Sequence, residues 1–178
     1  MAGVRRVIVG VSGSAGNLQA VRYAADLART HYAALVPVHA WVPPGGDLAD
    51  RRQPSAYLRE LWRDAAASRL LDALGLAFGG LPGDVHCEPR VVRGETRSAL
   101  VQLADSAGDV LVVGAGRRGA LRHLMACRVT GYCTAHARCP VIAVPPPDLA
   151  VLSQGVRGWR TRHRELPGEL HEAIADGS

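Results

Sequence analysis

Short apolar, β-branched runs alternate along this chain with longer segments of helical periodicity. Strands separated by helix-length crossovers pair in parallel, so the pattern restricts the chain to an α/β fold, a three-layer sandwich with helices on both faces of the sheet. Five strands are readable: Arg6 to Val11, Leu35 to Ala40, Val85 to Val92, Val110 to Val113 and Val141 to Val144. The first is apolar on both faces and belongs at the centre of the sheet. The third alternates apolar with polar residues and carries Pro89, which cannot donate to a ladder, so it belongs at an edge. Val21, Ala24, Ala25 and Ala28 mark one amphipathic helix; Leu58, Leu61, Trp62 and Ala65 mark another, and further helices are expected near 96–107 and 121–136. The stretch from Trp41 to Gln53, opened by Pro43-Pro44-Gly45-Gly46, reads as a surface loop long enough to act as a lid.

With 178 residues there is room for one domain, placed at 1–147, because Pro145-Pro146-Pro147 continues neither strand nor helix. Residues 148–178 form a C-terminal extension. Its first part is expected to be helical, from the spacing of Leu149, Leu152, Val156 and Trp159, and the part after Pro167 disordered. No apolar run approaches the ~20 residues of a membrane span, and Arg5-Arg6 is followed by too few apolar residues for a signal peptide. Cys87, Cys127, Cys133 and Cys139 therefore read as free thiols of a cytoplasmic protein.

Charge narrows the chemistry. All 21 basic residues are arginine, which excludes the P-loop lysine, the kinase strand lysine and the Schiff-base lysine of pyridoxal enzymes. Any anion must be held by guanidinium groups or backbone amides. Arg117, Arg118, Arg122, Arg128 and Arg138 lie between Val110 and Pro147 with no acid among them, so this segment alone carries the net charge of +5. That excess fits either an anion site or a solvated helix face. Aromatic residues make up only 4% of the chain, and of them only Tyr132 interleaves with these arginines, so base stacking on nucleic acid has no support.

In an open parallel sheet, ligands sit beyond the carboxyl ends of the strands where the strand order reverses. The loops after the first and fourth strands, Gly10-Val11-Ser12-Gly13-Ser14-Ala15-Gly16-Asn17 and Gly114-Ala115-Gly116-Arg117-Arg118-Gly119, are both rich in glycine and both lead toward a helix. Each suits an anion held by backbone amides, and each equally suits a tight strand-to-helix turn.

From position 4 to 144 the chain resembles the universal stress proteins, through Val7-Ile8-Val9-Gly10-Val11-Ser12-Gly13-Ser14, Val38-His39, Val112-Val113-Gly114 and Cys139-Pro140-Val141. The resemblance implies a five-stranded parallel sheet in order 3-2-1-4-5, a homodimer paired through the last strand (141–144), and a non-catalytic binding or signalling role in the stress response. It also implies a choice between ATP-binding and non-binding types. Binding members carry an aspartate at the end of strand one, where this chain has Ser12, and a Gly-x2-Gly-x9-Gly-[Ser/Thr] run after strand four. Anchored on Cys139-Pro140, that run begins at Gly114, but its later positions fall on Arg117, Cys127 and Arg128. Shifting the register to Gly116 and Gly119 places Val129 at the third glycine and Thr130 at the hydroxyl, and spoils the match with the last strand. Val11, Ala40, Val113, Gly114 and Gly116 match positions lining the adenosine and phosphates. Three readings stay open: nucleotide binding weakened or lost; ATP or another adenine nucleotide bound through amides with Arg117 and Arg128; another anion bound instead.

Catalysis and metal binding have less behind them. The segment Ser12 to Asn17 faintly resembles the pyrophosphate loop of adenylating ATPases, but it lacks the acidic residue that would hold magnesium, so a weak ATPase or adenylating enzyme is the last alternative. His123, Cys127, Cys133, His136 and Cys139 are close in sequence, but at 100° per residue His123 and Cys127 share one face of the expected helix and Cys133 and His136 occupy another, so no metal site is expected. His39 reads as a hydrogen-bonded strand-end histidine, with no nucleophile paired to it.

Overall fold

A computed structural model describes residues 3–12, 14–115 and 123–146 of the chain, the side chains of 15–16 and 123–128 excepted. The elements run β1 (Arg6–Gly10), α1 (Ala15–His31), β2 (Ala34–Trp41), α2 (Gly46–Arg52), α3 (Ala56–Phe78), β3 (Arg90–Arg93), α4 (Thr96–Leu103), β4 (Asp109–Gly114), α5 (His123–His136) and β5 (Val141–Val144). The five strands are all parallel, in the order β3-β2-β1-β4-β5 that the resemblance implies, with the third strand at an edge as its residues require. The extension expected from 148 onward, with its helix, lies outside the described residues.

Val7, Ile8 and Val9 of the central strand have no solvent exposure, because helices cover both faces of the sheet. Burying each such side chain contributes about 1.5 to 3 kcal/mol. On one face α1 lays Ala20, Val21, Ala24, Ala25 and Ala28 against Val7, Val9 and Leu35, and α3 adds Leu70, Ala73 and Leu74. On the other, Leu100 and Ala104 close over Ile8, Val36, Val38, Leu111 and Val113, together with Cys133 of α5. The run of alanines on α1 lets that helix sit close to the strands. Gly10 plays the same part on the opposite face, since a Cβ there would stand 2.9 Å from Leu100 Cδ1.

The amino ends of β1 and β4 are tied by charge. Arg6 donates from Nε and Nη2 to the two carboxylate oxygens of Asp109 at 2.8 and 2.7 Å, and the Ser106 amide donates to the same carboxylate at 3.0 Å. Asp109 is 1% exposed. Burial pushes its carboxyl pKa up, but the Arg6 guanidinium and the Ser106 amide outweigh it and hold the group below the usual carboxylate range.

Three details depart from the sequence reading. The stretch 41–53 is not a continuous loop but contains α2, entered through Gly45 and Gly46 at φ 81 and 78. The helix is secured from outside: buried Asp50 accepts from Arg59 Nε at 3.2 Å and from Arg93 Nη2 at 2.8 Å, and Arg93 also reaches Asp47 at 2.7 Å. On α3 the buried face is Ala66, Leu70, Ala73 and Leu74, whereas Leu58 and Leu61, at 39% and 51% exposure, lie toward solvent. The third strand is shorter than 85–92. Its early part makes only a bridge at Cys87, with Leu35 bonded to His86 and Glu88 at 2.8 Å each, and Pro37 of β2, which has no N–H to donate, interrupts the ladder ahead of β3.

Candidate functional site

The strand order reverses between β1 and β4, so the crevice at their carboxyl ends is the natural ligand site of this sheet. Gly10 stands opposite Val38 and Val9 opposite Val112. Continued by one or two residues, that register brings Val11, Ala40, Val113 and Gly114 to one edge of the sheet. Val11 and Val113 are buried, Ala40 and Gly114 half-buried, and Ser12 exposed.

The loop after β1 is held from within. Asn17, 9% exposed, donates from Nδ2 to the Gly10 carbonyl at 2.6 Å and accepts the Ser12 amide on Oδ1 at 2.7 Å. The Val11 amide donates to the Val38 carbonyl at 2.8 Å. His39 Nδ1 lies 2.8 Å from the Val11 carbonyl, which can only accept, so this nitrogen carries the proton, as expected of a strand-end histidine. Ser12 and Ser14 hydroxyls are 3.3 Å apart and exposed, and the Leu18 amide donates back to the Ser14 carbonyl. The loop thus offers hydroxyls to an incoming group, while its Val11 and Ser12 amides are already engaged.

Across the crevice, Thr130 of α5 donates from Oγ1 to the Gly114 carbonyl at 3.4 Å, and Val129 packs on the Leu111 side of the core. The structure therefore brings Val11, Ser12, Ala40, Val113, Gly114 and Thr130 to one end of the sheet, with Val129 behind them. Gly116 and Arg117 lie outside the described residues, as do the side chains of Cys127 and Arg128. So do Arg118, Arg122 and the side chain of His123, whereas Arg138 is exposed ahead of β5.

Among the remaining residues of the histidine and cysteine cluster, the described side chains diverge. Cys133 is buried, and burial, together with the nearby Cys139, pushes its thiol up to about 11. His136 is exposed, stacked on Tyr132 with ring centroids 4.1 Å apart, its Nδ1 2.9 Å from the Tyr132 carbonyl. Cys87, Cys133 and Cys139 are free. Among the described residues no helix is long and apolar enough to cross a membrane.

Sequence reasoning passed over Asn17 as a ligand-loop residue. An asparagine early in a helix that follows a glycine-rich turn is a signal for such a bracket, because its short amide reaches backbone groups of the preceding turn.

A doubly wound parallel sheet with its crevice between β1 and β4 places the chain among the Rossmann-like α/β folds. Within that class, residues 3–145 match the Universal stress protein family, and the chain belongs to it. It is 28% identical to a universal stress protein crystallised in complex with cAMP, at a TM-score of 0.52, over 80% of this chain and 98% of that one. Universal stress protein UspA of Lactobacillus plantarum is 21% identical, with a TM-score of 0.59 over 81% of this chain and 99% of that one. A universal stress protein of Archaeoglobus fulgidus is 20% identical at a TM-score of 0.50, over 79% and 98%. Comparison with curated proteins gives no match.

Proposed function

We propose that this universal stress protein is a non-catalytic binding and signalling module, active as a homodimer, whose affinity for ATP is weakened. One observation carries the reading: neither loop of the crevice contains a carboxylate. Ser12 stands where binding members have aspartate, and no acid occurs between Val110 and Pro147. Magnesium on a triphosphate therefore finds no carboxylate in either loop, the adenosine loses the aspartate that binding members offer it, and phosphoryl transfer lacks an acidic residue to hold its metal. Engagement of the Val11 and Ser12 amides within the fold supports the same reading. The dimer would form along β5, whose outer side no other strand covers among the described residues.

A second reading is favoured by the cAMP complex of the 28% identical relative. An adenine nucleotide with one phosphate needs no magnesium. It could rest on Val11, Ala40, Val113, Gly114, Gly116, Val129 and Thr130, with Arg117 and Arg128 meeting the phosphate. Calorimetry with Mg-ATP, AMP and cAMP, beside a phosphate-release assay, separates the two. The first reading expects no saturable heat with Mg-ATP and no sustained phosphate release. Saturable cAMP or AMP binding that Arg117→Ala or Arg128→Ala weakens would establish the second, and continuous phosphate release would overturn both.

A further inference from the structure

The carboxyl ends of β2 and β3 frame a separate cavity of about 360 Å³, lined by Trp41, Ala56, Arg59, Glu60, Arg63 and Arg93. Side chains alternate across a strand, so Trp41 faces the α3 side of the sheet while Ala40, beside the switch-point crevice, faces the other. This cavity is therefore distinct from the crevice discussed above. From its walls we infer a binding site for a planar, ring-bearing monoanion or dianion of the aryl-phosphate class.

The arginines are positioned without being used up. Buried Asp50 takes one nitrogen from Arg59 and one from Arg93, and Asp47 shares that Arg93 nitrogen. Among the described residues, Arg59 Nη1 and Nη2 and Arg93 Nε and Nη1 donate to nothing further. Arg63 is the least committed: its nearest acids, Glu60 and Asp64, lie 3.6 and 3.5 Å away and are both mostly exposed. Side-chain exposures of 40%, 58% and 38% leave Arg59, Arg63 and Arg93 partly open to solvent, and all three line the cavity. Guanidinium is a planar fork that takes two phosphate oxygens at once and stacks on rings, and an indole offers a second stacking face. Glu60 on the rim disfavours additional negative charge, which selects a compact anion over a polyphosphate.

The test uses the full chain with phenyl phosphate as probe, inorganic phosphate and phenol as the anion-only and ring-only controls, and the Trp41 indole N–H followed by NMR. Phenyl phosphate should shift the Trp41 signal saturably at concentrations up to about 10 mM, and more tightly than either control. Arg63→Ala should weaken binding about tenfold, with Arg63→Lys restoring part of it, while Trp41→Phe keeps the fold and removes the signal. The inference fails if inorganic phosphate binds as well as phenyl phosphate, if Arg63→Ala binds unchanged, or if the shifts fall on Ser12 and Gly114 instead of Trp41.

Discussion

The two edges of this sheet are built on opposite principles. At β3 the approach is blocked: Pro89 removes a donor, and Glu88 pairs with Arg90 at 3.0 Å and lies 3.0 Å from His86 Nε2, laying charges along the exposed rim. The Glu88 carboxyl is held low by Arg90 first and His86 second, so the rim stays charged at neutral pH. At β5 the sequence Val141-Ile142-Ala143-Val144 carries no charge. The Pro140 and Val144 carbonyls accept from Leu111 and Ala115 of the β4 side at 2.9 and 2.8 Å. Residues of alternate parity, Val141 and Ala143, therefore turn their backbone groups outward. Among the described residues, one edge is protected against pairing and the other carries no such protection.

The largest effect is expected from closing the open edge. Ala143→Pro removes an outward N–H without touching the β4 ladder, and in a two-fold symmetric pair each substitution acts twice. Self-association measured by sedimentation should weaken by about 100-fold or more while the melting curve stays in place. An unchanged oligomer, or a wild-type chain that is already monomeric, removes β5 as the contact.

A smaller effect, on the sheet itself, separates edge from core. Asp109→Asn keeps the shape but deprives Arg6 of its charged partner, at a cost of about 2 to 3 kcal/mol in urea unfolding, with the oligomer intact in native buffer. Asp109 titrates below its unfolded value. Its contribution is therefore complete above the ordinary carboxylate pKa and is lost as pH falls through the lower folded one. The wild-type chain should lose stability below about pH 4, and Asp109→Asn should flatten that limb. A variant with the same acid limb as wild type would place the acid sensitivity elsewhere.

The smallest effect comes from unblocking β3. Pro89→Val with Arg90→Thr should leave the unfolding midpoint nearly unchanged yet produce concentration-dependent association in light scattering. Continued absence of that association would mean the short β3 is protected by length alone.

Much of this contrast was legible in the sequence. Pro89 and the alternating pattern around it placed the third strand at an edge, and uninterrupted Val-Ile-Val placed the first at the centre, because burial on one or both faces is written directly into residue type. What was not legible depends on partners distant in the chain. Helix α2 is too short to be stable by itself, and its anchor Asp50 meets Arg93, 43 residues away. Leu58 and Leu61 have helical spacing, but their half of α3 is not the half that packs on the strands, and periodicity alone does not say where a helix meets its sheet. In the crevice, Val11, Ala40 and Gly114 were implied by the family resemblance, whereas the Asn17 bracket arises from a turn whose shape only the folded backbone reveals.

That bracket has a kinetic consequence. Gly10 and Ser12, already bonded to Asn17, have less conformational freedom to surrender when a guest arrives. Occupation of the crevice should then proceed as rigid docking, at a rate set by diffusion and orientation and not by loop closure. Gly10 and Ser12 would then keep the same positions whether the crevice is occupied or vacant.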